Sequence, residues 1–324
     1  MRFTEEMKHK VLRGEWIDRQ EALRLAQEPL VVLAKAADEI RKAMCGNGFD
    51  LCTIVNAKCG KCSEDCRYCA QSAHYQTACE ESYPLLSAEK LVEGARYNAQ
   101  QGVLRYSIVT SGKRLSEQEV EQACEGIRRI RAESDIEVCV SFGLLEEAQF
   151  RKIKDAGASR VHCNLETSSR YFPAVCTTHT YEEKIETLQA AKRAGLSICS
   201  GGILGMGETM EDRIDLALAV RELGVKSMPV NLLNPIPGTP YENHTPLTKE
   251  EACRCVALFR FLIPDASIRL AGGRGLLDDK GKVCFQSGAN AAISGDMLTT
   301  AGITVATDKE LLYTLGFEVK QCNG

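Results

Sequence analysis

Three cysteines in one short run offer the clearest chemistry in this sequence. Cys62, Cys66 and Cys69 stand in the segment Cys-Ser-Glu-Asp-Cys-Arg-Tyr-Cys, a C-x3-C-x2-C spacing with no fourth cysteine at an equivalent offset. Three thiolates on a short loop can hold three corners of a cubane iron–sulfur cluster and leave the fourth iron without a protein ligand. An iron with an open position can bind a small molecule and pass an electron to it. The spacing therefore predicts redox-initiated chemistry.

A structural zinc site or a set of buried packing thiols could also account for these cysteines. Structural zinc sites usually show two C-x2-C pairs or a mixture of cysteine and histidine, and Cys59 or His74 could supply a fourth ligand here. Packing thiols would stand in an apolar segment, but Lys61 and Glu64 make this one polar. The spacing favours the iron–sulfur interpretation over both.

The rest of the chain alternates apolar, β-rich runs with amphipathic helical runs. The predicted strands cover residues 51–57, 105–110, 136–142, 160–165, 197–204, 227–233, 267–271 and 291–294. The predicted helices between them cover residues 88–101, 116–133, 145–156, 181–194, 210–223 and 249–263. Strand–helix units in series predict a parallel sheet, and eight strands make a closed (β/α)8 TIM-type barrel of the α/β class the simplest topology.

The predicted domain organisation is an N-terminal helical extension over residues 1–45 followed by the barrel with a C-terminal tail over 46–324. The three cysteines follow the first predicted strand directly. Because barrel enzymes gather their chemistry at the carboxyl ends of the strands, the cysteines are expected at the catalytic mouth.

Composition excludes several classes of function. The chain has 324 residues, a net charge of −4 and 6% aromatic residues, so a nucleic-acid partner is not expected. No apolar stretch reaches the 18 residues of a membrane span, and the polar N-terminus predicts no export signal. Sixteen cysteines without an export signal indicate reduced, metal-bound or buried thiols in the cytoplasm rather than a disulfide framework.

The sequence resembles the radical S-adenosylmethionine (SAM) enzymes, and among them the biotin synthase family. The similarity lies in residues 65–72, 199–203, 205–209, 230–231, 238–240, 268–270, 273–274 and 288–290, in order and in register. The resemblance implies sulfur insertion into dethiobiotin to form biotin. It implies that the three cysteines bind a 4Fe–4S cluster whose open iron chelates SAM. It also implies an electron donor such as flavodoxin or ferredoxin, and a homodimer.

The same resemblance implies an auxiliary iron–sulfur cluster inside the barrel, held by three strand cysteines and one arginine. Cys139 on the third strand, Cys199 on the fifth and Arg269 on the seventh match that pattern, but Ser107 occupies the second-strand cysteine position. We hypothesise that Cys163 on the fourth strand replaces the missing ligand, in a 2Fe–2S cluster or a variant of it. A buried, unligated Cys163 is the alternative. Other cysteines that could include an auxiliary ligand are Cys45, Cys52, Cys59 and Cys79.

The resemblance also assigns contacts to SAM and to the substrate. Asn164 and Asn231 correspond to amides that bind the ureido ring of dethiobiotin, although a structural hydrogen bond is an equal alternative for Asn231. Glu166 corresponds to a carboxylate on the SAM ribose, and Lys184 to an arginine that meets the SAM carboxylate. The remaining SAM-binding candidates are Tyr68, Gly201 and Gly202.

Two competing functions are considered, and the missing second-strand cysteine favours the first of them. One is a related radical SAM enzyme with another small substrate, such as a hydrogenase-maturation enzyme. The other is a non-catalytic electron carrier or cluster scaffold, which would not bind SAM. Cleavage of SAM triggered by dethiobiotin would separate both from the main interpretation.

Overall fold

The computed structural model describes residues 2–77, 79 and 82–321. Its strands are β1 (Gly48–Lys58), β2 (Arg105–Thr110), β3 (Glu137–Ser141), β4 (Arg160–His162), β5 (Ser197–Cys199), β6 (Gly202–Leu204), β7 (Ser227–Leu232), β8 (Ser267–Leu270), β9 (Ala291–Ser294) and β10 (Glu318–Val319). Its helices are α1 (Arg2–Leu12), α2 (Arg19–Leu25), α3 (Leu30–Cys45), α4 (Ala88–Gln100), α5 (Glu117–Glu133), α6 (Glu147–Asp155), α7 (Tyr181–Arg193), α8 (Met210–Glu222), α9 (Lys249–Leu262), α10 (Lys282–Phe285) and α11 (Val305–Thr314). Short 3-10 turns cover Phe172–Ala174 and Arg274–Leu276.

The strands form one parallel sheet in the order β5-β4-β3-β2-β1-β9-β8-β7-β6. Strands β5 and β6 are two halves of the fifth barrel strand, separated by two residues. The Ser200 amide donates to the Ser227 carbonyl at 3.1 Å, and the Glu166 amide donates to the Gly201 carbonyl at 3.0 Å. These bonds join the two ends of the path across the interruption. The predicted closed (β/α)8 barrel is therefore confirmed.

Two glycines at the interruption of the fifth strand are required by the packing of its neighbours. A Cβ atom at Gly201 would lie 1.9 Å from the carbonyl oxygen of Pro229, and one at Gly202 would lie 2.2 Å from the carbonyl oxygen of Glu166. Pro229 lies on the adjacent strand β7 and Glu166 on the segment that follows β4, and these backbone atoms cannot move aside cheaply. The absence of side chains thus lets the barrel close at this point.

Capping residues and glycines determine where the barrel helices begin and end. Four of them start with a capping box, in which a hydroxyl accepts from the third helical amide and the acid there bonds back to the cap. The capping residues are Ser116, Thr180, Thr209 and Thr248. Three helices are followed by glycines with positive φ, at positions 157, 195 and 224. These local signals place the predicted helix ends within one or two residues of those in the structure.

The N-terminal segment forms three helices that pack on the outside of the barrel. Helix α3 buries Leu33, Ala36 and Ile40 and packs against α9, while α2 packs against α8. Arg19 of α2 donates to Asp215 of α8 at 2.7 Å. The segment is therefore attached to the far side of two barrel helices.

The C-terminal elements α10, α11 and β10 were not predicted. Asp308 of α11 receives two hydrogen bonds from Arg274, at 2.7 and 2.6 Å, and a third from Ser294. Strand β10 extends the parallel pairing of β1 at Gly48 and Phe49. The last cysteine, Cys322, lies outside the described residues. Across the described ranges, no helix combines the length and apolar character needed to cross a lipid bilayer.

Candidate active site

The three motif cysteines lie on the loop that follows β1, at the carboxyl end of the barrel. Two residues with positive φ, Gly60 at +76° and Lys61 at +49°, turn the chain back after the strand. The Cys62 amide then donates to the Gln71 carbonyl at 3.0 Å, and the Ala73 amide donates to the Cys62 carbonyl at 2.8 Å. The loop is closed on itself by these bonds.

All three cysteines line one cavity of about 360 Å³ at the barrel mouth. Two sulfurs bound to one zinc ion lie within about 4.6 Å of each other. Among the described residues, the group whose ligand atoms all lie within 4.8 Å of one another is a different one, Cys66 with Cys176 and His179. Within the described ranges, the sulfurs of Cys62, Cys66 and Cys69 therefore do not all lie within 4.8 Å of one another, so their spacing is wider than one zinc ion requires. His74, the alternative zinc ligand, is exposed, and its Nε2 lies 2.9 Å from the Ser63 carbonyl.

Acidic residues between the cysteines attach the loop to the segment after β4. The Asp65 carboxylate accepts hydrogen bonds from the Thr177 amide at 2.8 Å and from the Thr178 amide at 3.2 Å. Burial raises the pKa of Asp65, but the hydrogen bonds from Thr177 and its neighbours outweigh burial and hold it well below the ordinary value. Glu64 lies 2.6 Å from Nδ1 of His179 and pairs with it in a buried position.

Two side chains next to the loop were missed from the sequence. The sulfur of Cys176 lies 3.7 Å from that of Cys66 and 3.3 Å from Nδ1 of His179. Both residues belong to the short run Cys-Thr-Thr-His at 176–179. That spacing is a recognisable ligand pattern, but its distance of 110 positions from Cys66 hid the contact.

Glu166 and Lys184 lie together at the mouth, beside Tyr68. Glu166 has a φ of +70°, a conformation that non-glycine residues rarely adopt and that is often found at functional sites. Lys184 Nζ lies 3.8 Å from Glu166 Oε1, and Tyr68 is close enough to act electrostatically on the same carboxylate. Burial raises the pKa of Glu166, although Lys184 and Tyr68 oppose this. The structure therefore brings the three predicted SAM-binding side chains together.

The two predicted substrate amides differ in what they contact. Asn231 Nδ2 donates to the Gly202 carbonyl at 3.1 Å, and Asn231 Oδ1 accepts from the Gly272 amide at 2.9 Å. This is the structural role that the sequence left open. Asn164 lines the same cavity, and its buried Oδ1 has no hydrogen-bond donor among the described residues. Asn164 is therefore the amide with an acceptor available to a ligand.

At the floor of the cavity, which Ser107 and His162 line, a layer of polar side chains fills the barrel interior. Cys139 and Cys199 are both completely buried there. Ser107 Oγ lies 3.1 Å from Nε2 of His162 and 3.3 Å from the sulfur of Cys52 on β1. The structure thus places Cys52, one of the other cysteines considered as an auxiliary ligand, in this layer and adds His162 to it.

Arginines supply most of the charge in this layer. Asp50 of β1 pairs with Arg269 at 3.0 Å and with Arg105 at 3.0 Å, and Arg160 also acts on it electrostatically. All four residues are at most 3% exposed. Nε of Arg269, and Nε and Nη1 of Arg160, have no hydrogen-bond acceptor in the described part of the chain. Three buried guanidinium groups thus share one carboxylate. The layer carries a net positive charge, which an anionic group beside the arginines would balance.

The amide of Cys163 donates to the Cys199 carbonyl at 3.1 Å, but its side chain has different charged neighbours from those of Cys139 and Cys199. Cys163 follows the last residue of β4 and lines the upper cavity, where Lys184 and Glu166 are the charged groups that act on it. His162 takes the inward position on β4 instead. Cys163 lies beyond the end of β4, where strand alternation no longer fixes the direction of a side chain, and it lines the cavity together with Asn164.

Comparison with known proteins agrees with this site. Residues 58–220 match the radical SAM superfamily, and residues 229–318 match the Biotin and Thiamin Synthesis associated domain. The chain is 58% identical to biotin synthase 2 of Corynebacterium diphtheriae, over 98% of this chain and 96% of that protein. It is 56% identical to the biotin synthase of Akkermansia muciniphila, over 99% of both.

Two solved structures share the fold at low sequence identity. A methylornithine synthase superposes with a TM-score of 0.83 at 17% identity, over 97% of both chains. An FeFe-hydrogenase maturase from Carboxydothermus hydrogenoformans gives a TM-score of 0.83 at 18% identity, over 99% of this chain and 80% of that one. These two similarities support the barrel alone. Identities above 55% over nearly the whole length decide the family: the chain belongs to the biotin synthases, within the radical SAM superfamily.

Proposed function

We propose that this chain inserts sulfur into dethiobiotin to form biotin, at the cavity between the cysteine loop and Asn164. The observation that carries the proposal is the convergence of three cysteines, a buried carboxylate–lysine pair and an unpartnered amide oxygen on one cavity. Unactivated C–H bonds have no acidic proton, so acid–base side chains could not attack them, and a cofactor must supply the reactivity. A 4Fe–4S cluster with SAM supplies it by reductive cleavage of SAM to methionine and a 5′-deoxyadenosyl radical.

The residues of the loop fit such a cluster. Cys62, Cys66 and Cys69 would hold it, since their thiolates face the same cavity. The hydrogen bonds of Asp65 to Thr177 and Thr178 fix the loop against the barrel, so that the ligand positions are set before the cluster binds. This preorganisation keeps the ligands in place while substrates exchange.

SAM would lie beside Glu166 and Lys184. The Glu166 carboxylate has one oxygen without a hydrogen-bond donor among the described residues, and it can accept from the ribose hydroxyls. The Lys184 ammonium can meet the SAM carboxylate as a point charge. Gly201 and Gly202 place this end of the fifth strand close to Glu166 without an intervening side chain.

Dethiobiotin would bind between SAM and the interior layer. The unpartnered Oδ1 of Asn164 can accept from a ureido N–H group, and Asn231 keeps one amide hydrogen and one lone pair beyond its two backbone bonds. An interior auxiliary cluster beside Cys139, Cys199 and Arg269 would supply the sulfur atom. A small electron carrier such as flavodoxin or ferredoxin, and a homodimeric assembly, complete the proposal on the family resemblance.

An anaerobic single-turnover assay tests this function. The protein with both clusters is mixed with SAM, a reductant and dethiobiotin, and 5′-deoxyadenosine and biotin are followed together. We expect dethiobiotin to stimulate SAM cleavage and biotin to appear, and we expect neither product from the Cys66→Ala variant. SAM cleavage that is indifferent to dethiobiotin, with no biotin formed, would overturn the proposal.

A further inference from the structure

The barrel interior contains a cysteine on β1 that stands beside the serine on β2. The Cys52 sulfur and the Ser107 hydroxyl oxygen are 3.3 Å apart, and both side chains are completely buried. They project from adjacent strands of the same sheet, into the space that the auxiliary cluster would occupy. A thiol on β1 can therefore reach nearly the same point as a thiol on β2.

The strand geometry puts Cys52 in the interior. Asp50, two residues before Cys52 on β1, pairs with the interior arginine Arg269. Ile54, two residues after Cys52, lines the cavity above. Residues two apart on a strand share a face, so Cys52 faces the same interior between them. Cys52 thus lies one layer below the cavity.

Strand register places Cys139 and Cys199 near Cys52. Cys139 is the β3 partner of Ser107, and Cys199 is the β5 partner of His162, whose ring lies 3.1 Å from the Ser107 hydroxyl. Cys139 and Cys199 both interact electrostatically with Cys52. By contrast, Lys184 and Glu166 are the charged partners of Cys163.

We propose that Cys52, Cys139 and Cys199, with Arg269 beside them, hold the auxiliary iron–sulfur cluster, so that the ligand missing at position 107 is supplied from the neighbouring strand. The inference rests on the proposed function, because it assigns the ligands of the interior cluster which that function needs. It replaces Cys163, the ligand that the sequence suggested.

The unsatisfied groups of the interior support an anionic occupant at this place. Arg105, Arg160 and Arg269 share the carboxylate of Asp50, and three guanidinium nitrogens, Nε of Arg269 and both Nε and Nη1 of Arg160, are buried without acceptors among the described residues. Three thiolates and bridging sulfides bring negative charge and acceptors to such donors. Each cysteine loses its thiol proton when it binds iron.

The test removes the loop cluster first, so that any remaining iron reports the interior. The parent protein is the full chain with Cys62→Ala, Cys66→Ala and Cys69→Ala, reconstituted anaerobically with 57Fe and sulfide. Iron and sulfide per polypeptide are measured together with the Mössbauer spectrum, and circular dichroism checks the fold. We expect the parent to bind one interior cluster.

Cys52→Ala in this parent is expected to lose the Mössbauer signal of that cluster, whereas Cys163→Ala keeps it. Cys124→Ala, which removes a buried thiol from a helix, is the matched control and is also expected to keep it. The double change Cys52→Ala with Ser107→Cys returns a thiol to within reach and is expected to restore the iron. If iron binding returns in the double variant, the loss in Cys52→Ala came from a missing ligand and not from a misfolded chain.

Two results would overturn the inference in distinguishable ways. An unchanged Mössbauer spectrum in Cys52→Ala, or its loss in Cys163→Ala alone, would remove Cys52 from the ligand set while leaving the interior cluster in place. A parent that binds no iron at all would refute the interior cluster, and with it that part of the proposed function. A swapped variant that folds but stays without iron would contradict the shared position of the two side chains.

Discussion

The buried pair between Arg274 and Asp308 should hold the C-terminal helix to the barrel, and Asp308→Asn tests it. The two side chains are 3% and 1% exposed, and two hydrogen bonds of 2.7 and 2.6 Å join them. Asparagine keeps the shape of the side chain but presents an amide N–H to the guanidinium, which then lies buried without a counterion. Breaking a buried pair in this way costs about 3–5 kcal/mol.

That cost is large against the total stability of a folded protein, which is typically about 5–15 kcal/mol. With a urea slope of about 3 kcal/mol per molar, the unfolding midpoint should fall by roughly 1 M or more. The assay is urea unfolding of the cluster-free protein under reducing conditions, followed by far-ultraviolet circular dichroism and by the fluorescence of Trp16, the single tryptophan.

An exposed ion pair provides the control for this measurement. Lys249 and Asp278 lie 2.7 Å apart, but the Asp278 side chain is 79% exposed. Asp278→Asn should therefore leave the midpoint within experimental error. An Asp308→Asn variant that unfolds at the same urea concentration as the unmodified chain would refute the reasoning, since the pair would then contribute nothing to stability.

Three further results are expected. Asn164→Ala should weaken dethiobiotin binding by about tenfold, because a ureido N–H group loses its acceptor. The measurement is the dependence of SAM cleavage on dethiobiotin concentration. An unchanged dependence would show that Asn164 does not contact the substrate. The Asp65 carboxylate has a lowered pKa in the folded protein, so its stabilising contribution is present above pH 3.8, the ordinary aspartate value, and is lost as the pH falls below it. Asp65→Asn should flatten that part of the stability profile between about pH 5 and pH 2, and an identical slope in both proteins would argue against the assignment. Oxidation of the cluster-free protein should link Cys66 to Cys176, whose sulfurs are 3.7 Å apart, and peptide mapping that finds both thiols free would contradict this.

The fold was predictable because its signals are local. Hydrophobic periodicity, capping residues such as Ser116 and the glycines after the helices act within a few residues of the chain, and they placed the strands and helices of the barrel. The cysteine loop followed β1, so its position at the mouth followed from topology alone.

The interior ligands were harder to predict because they depend on the face that each strand presents. Strand β4 has only three residues. Its last residue, His162, points into the barrel interior, and Cys163 follows just beyond the end of the strand. Cys52 was one of several possible auxiliary ligands, and its distance from Ser107 depends on the register between two strands. Cys176 was missed because it meets Cys66 only through the tertiary fold.

Strand β1 depends on both ends of the chain for its neighbours. It pairs with β2, but also with β9 at Ala291 and with β10 at Glu318, near the end of the polypeptide. During synthesis on the ribosome, the residues of β1 emerge long before these partners exist. The barrel can close only after β9 has been made, because β9 is the neighbour that completes the sheet beside β1. The buried interior lined by Cys52, Cys139 and Arg269 therefore takes shape late in the folding of the chain, and not around β1 and β2 alone.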